Sequence, residues 1–239
     1  MWDQRWPTPL PHLREPAVFS RSSKSRLTDH DLGRFPGDTL FDRFARAVCR
    51  AGCLPRKELY EAWEVARRVR RRMRGGRVVD VAGGHGLLAH TLLLLDDTSP
   101  SAVIADPSIP PSARTLHATI VDDWPRLANR IAFEPASIDA IEVNVDDLVV
   151  SSHACGDLTD RVIGRAVAAR ARVAVLPCCH DAATCDAGPL SGWLDTDLAI
   201  DVMRAARLEA CGYQVHTLLI PSSITPKNRL LIATPRGER

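Results

Sequence analysis

Residues 77–86 read Arg77-Val78-Val79-Asp80-Val81-Ala82-Gly83-Gly84-His85-Gly86: a short β-branched strand, an acidic residue, then a glycine turn. Gly86 to Leu95 follows as a helix. A strand that enters a helix through so tight a turn needs residues without a Cβ, because the backbone takes positive φ and lies close to a ligand. Gly84 and Gly86 leave room for a ligand to pass over the chain. Asp80 stands just before the turn, where its carboxylate can receive a cationic group. The turn alone is weak evidence, since dinucleotide dehydrogenases use the same logic.

Downstream, strand and helix patterns alternate. Ala102–Ala105, Ile131–Phe133, Leu148–Ser151 and Arg172–Leu176 read as strands. Helical patterns fill the spaces: Ser112 to Asn129 in part, Asp157 to Arg170, and Leu194 to Cys211. Such units imply a mostly parallel sheet with helices on both faces, an α/β Rossmann-like architecture. The last two strands, Gln214–Ile220 and Arg229–Ala233, have no helix between them and are expected to pair as a C-terminal antiparallel hairpin at the sheet edge. Most dinucleotide dehydrogenases lack that ending. Asp106 follows the second strand, 26 residues after Asp80, where a carboxylate can accept both hydroxyls of a ribose.

Upstream, two amphipathic helices are expected, one from Asp38 and one from Arg56 to Arg74, as an N-terminal helical segment over 37–75. Residues 1–36 are rich in Pro, Ser and Arg and read as a basic, partly extended arm. The main domain is expected over 76–239. The chain has 239 residues and a net charge of only +2, but the charge is uneven. Residues 1–75 carry 17 Lys and Arg against 9 Asp and Glu, and the remainder 14 against 20. A basic front on an acidic body suits an anionic partner or a solvated helix surface. Aromatics make up only 5%, so the core must come mainly from Ala, Val, Leu and Ile. Met1 to Leu13 has no apolar run of secretory type, and no stretch is long enough to span a bilayer. Seven cysteines then read as reduced thiols of a cytoplasmic protein.

The segment Asp80 to Gly86 resembles the acidic-residue and G-x-G-x-G motif of class I S-adenosylmethionine-dependent methyltransferases. It departs from it at Ala82, where the first glycine is usual and where alanine requires negative φ. The strand-end segments Ser152-His153-Ala154-Cys155-Gly156-Asp157 and Pro177-Cys178-Cys179-His180 resemble a subgroup with H-x-C-G and C-C-H motifs. That subgroup includes tRNA acceptor-stem 2′-O-methyltransferases and other methyltransferase-like proteins. The likeness spans roughly residues 76–233. The tRNA enzymes usually read C-C-H-H, and here Asp181 follows His180.

The resemblance implies S-adenosylmethionine as cofactor. Its contacts would be Asp80, Ala82, Gly83, Gly84 and Gly86 of the turn, Asp106 at the ribose, Ile138 and Asp139 at the adenine, and Ser152. For the Cys/His segments three readings are open. The first is catalysis: His153 or His180 takes a proton from the acceptor, Asp157 orients one of them, and Cys155, Cys178 and Cys179 line the reaction site. The second is a metal site from Cys155, Cys178, Cys179, His180 and Cys185. It is disfavoured because adjacent Cys178 and Cys179 cannot easily point at one ion, so no metal is expected. The third is packing, expected also of Cys49, Cys53 and Cys211. The leading substrate is RNA, a tRNA ribose hydroxyl above all, gripped through Arg67, Arg68, Arg71, Arg72, Arg74 and the arm. The alternatives are a small-molecule or protein acceptor, or a cofactor-binding protein without turnover.

Overall fold

Thr39 opens the first helix by accepting the Asp42 N–H at 3.1 Å, and Gly52 closes it in the left-handed region at φ +63°. This helix, α1 (Leu40–Ala51), and α2 (Arg56–Arg70) each bury one apolar face. The computed structural model describes residues 19–237. Half of the basic arm, residues 1–18, lies outside the described residues. Residues 19–36 are no loose arm. Leu27 and Phe35 are buried, and Leu27 N–H bonds to the Leu54 carbonyl at 2.9 Å. The Arg56 guanidinium stacks on Phe19, 3.6 Å from the ring centre. The apolar anchors of this strap follow no period, so periodicity does not reveal them.

Beyond α2, buried aliphatic runs alternate with helices: β1 (Val78–Val81), α3 (Leu87–Leu95), β2 (Ala102–Ala105), α4 (Ser112–Asp123), β3 (Ile131–Glu134), β4 (Leu148–Ser151), α5 (Leu158–Ala168), β5 (Arg172–Val175), α6 (Thr196–Ala210), β6 (Tyr213–Leu219) and β7 (Arg229–Pro235). The sheet order is β3-β2-β1-β4-β5-β7-β6. Strands β1 to β5 are parallel, and β7 is antiparallel to both β5 and β6. The expected Rossmann-like sheet with a C-terminal hairpin is present, with the last strand inserted between β5 and β6. β1, β2 and β4 are buried throughout, as strands covered on both faces must be.

One core joins α1, α2 and α3 to one face of the sheet through Phe44, Val65, Leu92, Val78, Leu148 and Ile232. A second joins α5 and α6 to the other face through Val162, Leu208, Val149 and Val173. The N-terminal helices are therefore part of the sheet's own packing. Strand order reverses between β1 and β4, so the cleft for a ligand lies where these two strands end. No described helix is long and apolar enough to cross a membrane.

Candidate active site

The turn after β1 is built around Asp80. Its carboxylate is buried and accepts the Ala89 N–H at 3.1 Å, capping the first turn of α3. Burial pushes its pKa up to about 7, against the hydrogen bond that lowers it, and nearby Asp106 adds to the rise. A ligand cation brought there would restore the charged carboxylate. A Cβ on Gly83 would stand 2.9 Å from both Asp80 Cγ and Ile104 Cγ2, and one on Gly86 only 2.1 Å from Ile104 Cδ1. Glycine is required at both positions. Ala82 lies at φ +52°, not at the negative φ at which alanine fits the motif, and this departure weakens the likeness to the glycine motif at that position. The turn keeps its shape because the Ala82 N–H is held by the Ala105 carbonyl at 2.9 Å.

Asp106 is fixed from two sides, accepting Gly84 N–H at 3.0 Å and Ser108 N–H at 2.8 Å. Each of its oxygens accepts one of these bonds and keeps further acceptor capacity. The adenine contacts fare differently. Ile138 is buried within the second core, and exposed Asp139 is ion-paired with Arg161. Ile138 is thus a core residue, and Asp139 would have to leave Arg161 to bind a base.

A narrow recess of about 20 Å³ opens beside the turn, lined by Glu58, Asp80, Gly83, His85, Ser152 and His153. Sequence reasoning missed Glu58, which α2 brings over the sheet, and His85, which bonds to Ser112 at 2.8 Å. Burial raises the Glu58 pKa, and the neighbouring His153 lowers it. His153 is exposed. Asp157 is exposed too and has no side-chain hydrogen bond among the described residues, so it orients neither histidine.

His180 is oriented instead by Asp201 of α6, at 2.8 Å, and its side chain is only 1% exposed. Buried Arg204 grips Asp160 at 2.7 and 3.2 Å, contacts Asp201 at 3.3 Å, and donates to the Gly156 carbonyl at 3.0 Å. Burial tends to raise the Asp201 pKa. Hydrogen bonds from His180 and Arg229 outweigh it and hold the carboxyl below its ordinary value. The Gly156 N–H reaches the Cys179 carbonyl at 3.3 Å, tying the loops after β4 and β5 together.

These loops also bring three thiols together. Cys155 Sγ lies 3.2 Å from Cys178 Sγ, Cys178 Sγ lies 3.8 Å from Cys179 Sγ, and all three fall within 4.8 Å of one another. The objection that Cys178 and Cys179 diverge is overturned: the chain leaves regular strand geometry after Val175, so successive side chains no longer alternate across the sheet. Cys185 is buried beside Arg204 at 3.5 Å and lies outside the trio. Cys49 is buried as expected, Cys53 is half-buried, and Cys211 is exposed rather than packed.

The arginines at the end of α2 are unequal. Arg67 and Arg68 share Glu64. Arg70 is buried and held by Asp96 at 3.2 Å and Ser99 at 2.8 Å, and Arg74 lies 3.7 Å from Asp96. Arg71 and Arg72 are exposed and make no ion pair among the described residues. Arg172, at the start of β5, donates to the carbonyls of Arg74 and Gly75. The end of this segment therefore lies at the rim where parallel strands begin, opposite the Asp80–Gly86 turn. Lys227 and Arg229, near the other rim, are paired with Asp197 and Asp201.

A family model described as a methyltransferase domain matches residues 57–185, more than half of the chain. No curated protein matches the sequence. Among solved structures, an O-methyltransferase family protein from Burkholderia thailandensis superposes with a TM-score of 0.52 at 19% identity, covering 91% of this chain and 66% of its own. Mitomycin 7-O-methyltransferase gives 0.51 at 18%, covering 86% and 60%. A ribosomal protein L11 methylase from Lactobacillus delbrueckii subsp. bulgaricus gives 0.50 at 13%, covering 76% and 79%. The chain thus spans somewhat under two thirds of the first two structures, and at these identities the likeness is one of fold.

Proposed function

The chain belongs to the methyltransferase-domain family, and from that premise we propose that it transfers the methyl group of S-adenosylmethionine to a small acceptor at the ends of β1 and β4. The observation that carries this reading is the pairing of buried Asp80 with oriented Asp106 on either side of a turn that tolerates no side chain at Gly83 or Gly86. Asp80 suits the cationic amino group of the cofactor, and Asp106 its ribose hydroxyls. Bound there, the sulfonium supplies an electrophilic methyl group. Glu58 and His153 border the recess on the acceptor side, and His153, exposed, takes the acceptor's proton. Ser151 keeps that edge in place: its hydroxyl donates to the Val81 carbonyl at 2.7 Å and accepts the Ala154 N–H at 3.1 Å.

The charge pattern favours a small acceptor over a nucleic acid. The basic side chains Lys227 and Arg229 are already paired, Arg70 and Arg74 are held by Asp96, and Arg68 is tied to Glu64 and to the Leu219 carbonyl at the end of β6. RNA remains the second reading, favoured by one observation: Arg67, Arg68, Arg71 and Arg72 line a common groove with Leu218. Binding through it would weaken steeply with salt.

Calorimetry with S-adenosylmethionine and with NAD tests the cofactor. Asp106→Ala is expected to weaken S-adenosylmethionine about 10- to 100-fold, the loss of about 1.5–3 kcal/mol typical of a hydrogen bond to a charged group. Preference for NAD sinks the proposal. A labelled-methyl assay on metabolite extracts and on total RNA separates the two acceptors. Label in RNA that disappears with Arg71→Ala and Arg72→Ala would replace the first reading by the second.

A further inference from the structure

The three thiols at the ends of β4 and β5 have no task in the methyl-transfer scheme. Their meeting follows from the sheet. β4 and β5 pair in parallel with Ser151 opposite Val175, an offset of 24 residues. The loops that leave these adjacent strand ends then bring Cys155 beside Cys178 and Cys179. The two loops are then tied together by the Gly156 N–H to Cys179 carbonyl bond. Behind them stand the Arg204 bond to the Gly156 carbonyl and the anchoring of His180 by Asp201. The trio is therefore held by a buried network rather than by chance contact.

We propose that Cys155, Cys178 and Cys179 form a binding site for one thiophilic divalent cation, zinc first, with three thiolate ligands and an open fourth position. Zinc takes sulfur at about 2.3 Å in tetrahedral geometry, which separates its sulfurs by about 3.8 Å. The observed separations of 3.2 and 3.8 Å, with all three pairs inside 4.8 Å, bracket that value. To reach that separation the Cys155 and Cys178 sulfurs would part by about 0.6 Å, while Cys178 and Cys179 already stand at it. Cysteine sulfur selects soft and borderline metals over magnesium or calcium, which demand oxygen. Binding replaces three thiol protons with one dication, and the protons leave to solvent. Cys155 and Cys179 are exposed, so the fourth position is reachable from solvent. Three protein ligands with an open position are the arrangement of zinc sites that take an exchangeable ligand, whereas closed structural sites fill all four.

The test needs no methyl donor, so it succeeds or fails independently of the transfer reaction. The full chain, reduced and stripped with chelator, is dialysed against zinc or cobalt(II), and metal content is measured. One equivalent per chain is expected, and the cobalt form should show thiolate-to-metal charge-transfer absorption with tetrahedral ligand-field bands. Cys155→Ser and Cys178→Ser should each weaken binding by roughly ten-fold or more, since loss of even an outer hydrogen-bond partner commonly has that effect. Cys211→Ser, at the exposed residue that follows α6, should leave it unchanged. Circular dichroism confirms that each variant is folded. Absence of the charge-transfer band in the folded wild-type chain overturns the site. So does metal uptake that survives both Cys155→Ser and Cys178→Ser.

Discussion

His180 Nε2 lies 2.8 Å from one carboxylate oxygen of Asp201, and Arg229 Nε lies 2.7 Å from the other. With its side chain 1% exposed, this histidine is a post that supports the loop after β5 and is sealed from any acceptor. Asp201→Asn should therefore act on stability first. It removes a charge facing Arg204 and Arg229 and should cost about 3 kcal/mol at neutral pH, the lower end for one partner of a buried pair. Because the folded carboxyl titrates below its unfolded value of about 3.9, its contribution is present above that pH and fades as pH falls through the folded value. Urea unfolding should thus show a large gap between wild type and variant at neutral pH, closing in acid. A gap that stays constant with pH would mean the ion pairs are not its source.

The start of α3 buries two titratable groups that pull in opposite directions. Asp80 is pushed up to about 7 by desolvation, and His90, buried between the Gly86 carbonyl and His117, is pushed down to about 4. Between pH about 4 and 7 the folded state holds a proton on Asp80 that the unfolded chain releases, so stability falls as pH rises. Over nearly the same window the unfolded chain protonates His90 while the folded state does not, so stability rises with pH. The two slopes oppose each other in the wild type. Asp80→Asn, which can still accept the Ala89 N–H, should expose a positive slope, and His90→Gln a negative one. Parallel profiles for both variants would refute the assignment.

His153 is the one exposed histidine bordering the recess, and Glu58 faces the same space. His153→Ala should lower kcat by about 100-fold or more, in the range typical of a general base, while leaving cofactor affinity in calorimetry unchanged. Glu58→Gln should alter the pH profile of kcat, because it removes a carboxyl whose pKa burial raises beside the same recess. Loss of cofactor binding in His153→Ala, with kcat per bound enzyme intact, would assign this residue to binding.

The sequence made strands such as Leu148–Ser151 legible because four consecutive aliphatic or small residues between polar loops leave few alternatives. The positions of Asp80 and Asp106 beside the turn are legible because each stands at the end of a short strand, and those two strands pair in register. Asp157 looked like the partner of a histidine because it is near in sequence, whereas Asp201 reaches His180 across 21 residues through α6 packing. Glu58 was hidden for the same reason, since only the docking of α2 on α3 brings it to the turn. The strap at residues 19–36 was hidden because aperiodic anchors such as Phe19 and Leu27 carry no local signature. The thiol trio was half visible: the two motifs were read, but the register that makes them neighbours belongs to the sheet.

Ala82 carries the one departure from the glycine motif, and it sits at φ +52°. An L-residue in the left-handed region costs about 1–2 kcal/mol through the approach of Cβ to the following carbonyl oxygen. Glycine removes that clash but surrenders about 0.5–1 kcal/mol of backbone entropy on folding. Ala82→Gly should then stabilise the chain by a net of about 0.5–1 kcal/mol, raising Tm by about 1–4 °C for a protein of this size. Ala82→Val, whose branched Cβ is least suited to positive φ, should lower it. The clash rather than the loss of contacts is the cause if the two substitutions move Tm in opposite directions. A drop for Ala82→Gly would mean that the alanine methyl makes packing contacts worth more than the strain, and that the turn prefers alanine on its own account.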